Sequence, residues 1–176
     1  MKQPMPASFP PLTPRAPKIL ILGSMPGEMS LLKNQYYAHP QNRFWKIMFR
    51  YFGAPFSGDY EARKTLALQN GVALWETIAL CERENSSLDS FIKNPKPNDI
   101  AGFLRRYPSV QAVFTNGGTS TAIFQKNFPQ IPATILHRAL PSTSPANARM
   151  DAEILYAVWE AALDEALNRN NLEQNG

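Results

Sequence analysis

Four short apolar runs separated by helical patterns constrain this chain more than any other feature. The first, Lys18-Ile19-Leu20-Ile21-Leu22, is stopped by Gly23, and the second is Gly71-Val72-Ala73-Leu74-Trp75. The third, Val110-Gln111-Ala112-Val113-Phe114, ends at Asn116-Gly117-Gly118, and the fourth is Ala133-Thr134-Ile135-Leu136. Runs this short, bounded by turn residues, read as buried strands. Between them, Phe44 to Phe52 is apolar on one face through Phe44, Ile47, Met48 and Tyr51. Asp59 can cap a helix that stops at Asn70-Gly71, and Asn98 can cap one that ends before Pro108. A short helix is predicted over Thr119–Phe128, and a last one from Pro145 or Asn147 to Leu167. Alternation of strands and helices dictates a mostly parallel sheet covered on both faces. The expected fold is α/β, a three-layer α/β/α sandwich about a mostly parallel four-stranded sheet.

The 176 residues suit one domain. It is placed at 18–170, between an N-terminal arm (1–17) and a short tail (171–176). Six of the sixteen prolines precede residue 18, so the arm can form neither a long helix nor a central strand. It is expected to lie extended over the domain or to fray. A composition 44% hydrophobic and 18% charged is that of a globular protein. The single cysteine, Cys81, excludes an internal disulfide framework and a four-cysteine metal site. With only His39 and His137 besides, neither a metal nor a cofactor is expected. No run reaches the roughly 18 apolar residues of a membrane span, and the N-terminus lacks the apolar core of a secretion signal. An intracellular, cytoplasmic monomer is the expectation.

The net charge of +4 conceals an uneven distribution. Residues 1–50 carry +6 and residues 99–149 carry +4, whereas 51–98 carry −1 and 150–176 carry −5. Two basic blocks folded onto one face would attract a polyanion; an ordinary solvated surface is the bland alternative. Arg43, Arg138 and Arg149 are the candidate phosphate contacts.

In a parallel sheet, ligands bind at the carboxyl ends of the strands. Three segments there carry chemistry. Gly23-Ser24-Met25-Pro26-Gly27 follows the first strand, and its backbone N–H groups suit a phosphate or an oxyanion. It is neither a P-loop nor a dinucleotide fingerprint. Gln35-Tyr36-Tyr37-Ala38-His39-Pro40-Gln41-Asn42-Arg43-Phe44-Trp45 brings aromatic, amide and cationic groups into a loop that opens a helix. Bases stack on aromatic faces and pair with amides. Trp45 reads as core, Phe44 equally as core or as a stacking surface, and Asn42 has an alternative role as a helix cap. Finally, His137-Arg138-Ala139-Leu140-Pro141-Ser142-Thr143-Ser144-Pro145-Ala146-Asn147 is read as the loop after the last strand. Ser144-Pro145 suits a helix start able to take a phosphate.

Together these blocks resemble the uracil-DNA glycosylase superfamily, and within it the hypoxanthine-DNA (deoxyinosine) glycosylase branch. Gly71-Val72-Ala73-Leu74-Trp75-Glu76, Cys81-Glu82-Arg83 and Ser87-Leu88-Asp89-Ser90 fit that branch too. The resemblance spans about Ile19 to Asn147. It departs at Met25, where the mismatch-specific branch holds a water-activating asparagine; a thioether cannot orient water. The resemblance assigns that role to Asn42. Glu76 stands where many members carry a base-reading asparagine, and Leu140 where others carry a histidine.

The implied function is a base-excision DNA glycosylase acting on deaminated adenine. Asn42 would orient water or bond the base, and Phe44 would stack on it. Ser24, Met25, Pro26, Gly27, Tyr37 and His39 would line the pocket, and Asn116 could donate to a ring nitrogen. Glu76 could read the base if it points inward, with a solvent-facing side chain the blander expectation. Ser142, Thr143, Ser144, Pro145, Ala146 and Asn147 would grip DNA, whose deaminated base is the expected partner. A uracil or broad deaminated-base glycosylase and a non-catalytic nucleic-acid-binding protein stay open; a flavodoxin-like protein is weaker, because the loops lack a flavin signature.

Overall fold

A computed structural model describes residues 7–83 and 88–173. Four parallel strands form the sheet in the order β2-β1-β5-β6, with β1 Ile19–Gly23, β2 Val72–Glu76, β5 Ala112–Asn116 and β6 Leu136–Leu140. The two faces of β1 separate the core. Ile19 and Ile21 pack with α2 (Phe44–Tyr51), α3 (Tyr60–Gln69) and α6 (Ala152–Glu173), whereas Leu20 and Leu22 pack with α4 (Ile100–Arg106) and α5 (Gly118–Asn127). Both faces are apolar because both are covered. The expected three-layer sandwich is therefore the observed one.

The first three strands fall within two residues of their apolar runs, but the fourth does not. Ala133 to Ile135 forms a turn, and β6 is Leu136–Leu140, including His137 and Arg138. As an edge strand it is half-exposed, so it tolerates the polar residues that disguised it. The loop after it begins at Pro141, not at His137. Imidazole Nε2 of His137 instead lies 3.0 Å from Thr115 Oγ1 within the sheet.

Local capping explains two other displacements. Asp99, rather than Asn98, caps α4, its Oδ1 accepting from the Gly102 N–H at 2.9 Å. Asn98 donates to the Glu76 carbonyl at 2.9 Å and so ties the end of β2 to the chain before α4. Ser144 does cap, accepting from the Ala146 N–H at 3.2 Å, but it caps a three-residue 3-10 turn, Pro145–Asn147. Helix α6 begins only at Ala152 and runs beyond Leu167 to Glu173.

A short helix α1 (Glu28–Lys33) and an antiparallel hairpin, β3 (Ile78–Glu82) with β4 (Lys93–Pro97), were not anticipated. Backbone N–H groups of Thr77 and Ile78 donate to the Gly23 and Ser24 carbonyls at 2.8 and 3.1 Å, so the hairpin springs from the mouth of the sheet. The described part of the arm lies extended along β2, where Leu12 and Leu74 exchange two hydrogen bonds at 2.9 Å, and reaches β3 at Ala7–Leu80.

Candidate active site

The carboxyl ends of β1, β2 and β5, with the segment after β6, surround a cavity of about 650 Å3. It gathers Ser24–Gly27, Tyr37, His39, Asn42, Glu76, Asn116 and Ser142–Asn147. These segments are distant in sequence and meet only because four parallel strands end on the same side. Four expected site residues, Arg43, Phe44, Arg138 and Arg149, do not line it.

Phe44 is fully buried in the core. Its ring stacks on Tyr37 with centroids 4.1 Å apart and meets Trp159 edge-on at 6.0 Å. It therefore cannot lie against a base without the core opening. Tyr37 covers it on the cavity side, held there by a left-handed backbone conformation (φ 54°). The Tyr37 hydroxyl is buried and makes no hydrogen bond among the described residues. Burial and the nearby Glu76 hold this phenol far above its ordinary range.

The guanidinium groups of Arg43 and Arg138, candidate phosphate contacts, are both engaged within the protein. Arg43 donates to the Met150 and Asn147 carbonyls at 2.7 and 2.8 Å, and its backbone N–H donates to the Thr143 carbonyl at 3.0 Å. It clamps the 143–150 segment onto the start of α2. Arg138 forms a two-pronged ion pair with Glu165 on α6. Arg149 is exposed and forms no ion pair among the described residues.

Arg43, not Asn42, is the N-cap of α2; Asn42 Oδ1 accepts the Phe44 N–H at 2.9 Å just ahead of that helix, and the residue lines the cavity. Asn116 is buried with its amide facing Thr143 on the opposite wall, Nδ2 to Oγ1 at 3.0 Å and Oδ1 to the Thr143 N–H at 3.0 Å. Asn147 Nδ2 donates to the Ser142 carbonyl at 3.0 Å and closes the loop on itself.

Glu76 does not face solvent, for it is 4% exposed. Its carboxyl group lies over Gly23: a Cβ built there would stand 2.3 Å from Glu76 Oε2. Burial, then the charge of Asp89, raise the Glu76 carboxyl well above its ordinary range, with Arg83 opposing them. Asp89, in the matching block Ser87–Ser90 but with no expected role, has both its oxygens 2.8 Å from Ser24 Oγ inside the cavity. Its pKa is also raised by burial, against hydrogen bonds from Ser24 and Thr119 and the charge of Arg83. No local pattern marks it, because its partner is 65 residues away. The cavity thus offers an aromatic ring, side-chain amides and carboxyl groups beside a hydroxyl-rich loop, a set suited to a flat polar ring attached to a phosphodiester.

Residues 10–165 match the uracil DNA glycosylase superfamily. The chain belongs to that superfamily. Two curated relatives of this glycosylase-superfamily chain are named hypoxanthine DNA glycosylase. The one from Methanosarcina barkeri is 34% identical over 113 residues, 64% of this chain and 71% of that one. The other, from Methanosarcina acetivorans, is 33% identical over 157 residues, 87% of this chain and 94% of that one. The fold is also similar to the solution NMR structure of a candidate uracil DNA glycosylase from Methanosarcina acetivorans. Its TM-score is 0.77 at 28% identity, covering 92% of this chain and 98% of that one.

Proposed function

We propose that this protein is a monofunctional DNA glycosylase that hydrolyses the N-glycosidic bond of a flipped hypoxanthine and leaves an abasic site. The observation that carries the reading is the convergence of Tyr37, Asn42, Glu76 and Asn116, from four parts of the chain, on one cavity at the strand ends. The names of the two curated relatives support hypoxanthine as the base.

A base must leave the stack before its glycosidic bond can be reached. Tyr37, in place of Phe44, presents the aromatic surface to it. The sugar then gains oxocarbenium character and the purine gathers negative charge, which fixed donors stabilise. Asn42 orients the attacking water. One Asn116 Nδ2 hydrogen goes to Thr143, and the amide also acts on the Tyr37 hydroxyl; a ring nitrogen of the base would take the second hydrogen in competition with that phenol. Glu76 faces the N1–H and O6 edge that distinguishes hypoxanthine from adenine: ionised it accepts from N1–H, neutral it donates to O6. The Ser24–Gly27 turn and His39 complete the pocket. Ser142–Asn147 holds the backbone, aided by Arg149. The partner is DNA carrying a deaminated base inside the cell.

The test is base excision from matched duplexes containing inosine, uracil or xanthine. Preferential abasic-site formation at inosine is expected. Preference for uracil would favour the broader or uracil-directed reading, and binding without release would favour a non-catalytic protein.

A further inference from the structure

The turn after β1 lacks a polar side chain at Met25, whose thioether is buried against Ile78 and Cys81. A polar group reaches the same turn from elsewhere. Asp89, between β3 and β4, places both carboxylate oxygens 2.8 Å from Ser24 Oγ and lines the cavity with Asn42 and Glu76. Ser24 has one proton to give and Thr119, at the start of α5, has another. A carboxylate has about four lone-pair sites, so capacity for a water or a nearby cation is left over. Arg83, at the exit of β3, donates to the Pro26 carbonyl and steadies the other side of the turn. Anchoring alone would need only a neutral acceptor. A half-buried carboxyl group close enough to feel the charge of buried Glu76 is a costly way to provide one.

We propose that Asp89 is a catalytic carboxylate of the excision reaction, facing the sugar and receiving a proton from the attacking water. This rests on the glycosylase reading above. In the step, the bond from the anomeric carbon to N9 breaks and its electron pair stays with the purine. The water oxygen bonds to the anomeric carbon and one of its protons passes to the Asp89 carboxylate. The purine anion takes a proton from solvent, and Asp89 later returns its own. The segment between β3 and β4 thereby brings a polar, water-binding group to the turn where Met25 offers none.

Among the described residues, the charged and titratable groups that act with Asp89 are Glu76 from β2, Cys81 in β3 and Arg83 after it, while Glu28, Tyr37 and His39 line the same cavity. Single-turnover excision is therefore measured against pH for the parent, D89N, D89A and E76Q, with abasic-duplex affinity and thermal unfolding alongside. D89N keeps an acceptor for Ser24, so an anchoring role predicts rescue by D89N. The proposal predicts that D89N and D89A both lose about 100–10,000-fold, the range for a positioned acid–base group. Both should melt cooperatively and bind abasic DNA, and D89N should lose the acid-side fall in rate that E76Q retains. D89N at the parent rate, or with the parent pH profile, would overturn it. Failure of the hypoxanthine reading shows separately, as a parent that spares inosine and cuts uracil; the variants are then compared on the uracil duplex.

Discussion

Asn116 and Thr143 are joined by two opposed hydrogen bonds of 3.0 Å, the Asn116 amide donating to the threonine hydroxyl and accepting from its backbone N–H. Both residues are buried. The pair fastens the loop after β6 to the end of β5 and fixes the cavity's width. Thr143→Val keeps the volume but leaves Asn116 Nδ2 without its acceptor. A stability loss of about 1–3 kcal/mol is expected in denaturant unfolding, with reduced excision. Unchanged stability would mean that the pair does not hold the loop.

Gly23→Ala would place a methyl group against a buried carboxyl group, 2.3 Å from Glu76 Oε2. Relief requires Glu76 to leave its position. Destabilisation of about 1–3 kcal/mol and impaired excision are expected. Parent-like values for both would show that Glu76 is free to move and is not held in place to read a base.

Glu76 also makes stability depend on pH. Its pKa is raised in the folded protein by burial and by Asp89, so the native state holds the proton more tightly than the unfolded chain. The favourable contribution is fully present below the ordinary carboxylate pKa and is lost as pH rises through the raised folded value. Glu76→Gln stays neutral throughout. Its melting temperature should therefore gain on the parent's across that window, as measured by thermal unfolding at stepped pH. Parallel curves would contradict the buried carboxyl group.

DNA affinity should fall steeply with salt as Lys and Arg displace counterions. Arg149→Ala should reduce the magnitude of the salt slope by about one. Arg138→Ala should leave it close to the parent's, because Arg138 is paired with Glu165. The reverse order, measured by fluorescence anisotropy with an abasic duplex, would restore Arg138 as a phosphate contact.

The sheet was legible because β1, β2 and β5 are buried on both faces and read as unbroken apolar runs. Edge strand β6 was misplaced because half-exposure admits His137 and Arg138. Strand β4, Lys93-Asn94-Pro95-Lys96-Pro97, is wholly exposed and contains two prolines; only pairing with β3 makes it a strand. Most cavity residues were legible as motifs at strand ends. The inward turn of Glu76, the burial of Phe44 and the arrival of Asp89 depend on tertiary packing, which no local pattern records.

The most direct measurement is single-turnover release of free hypoxanthine from an inosine duplex by the parent and by Asn42→Ala. The account predicts release by the parent and a rate lower by roughly 100–1,000-fold in the variant, the scale for one positioned polar group. The variant should still bind abasic DNA. No hypoxanthine from the parent, or equal rates from the two proteins, would contradict it.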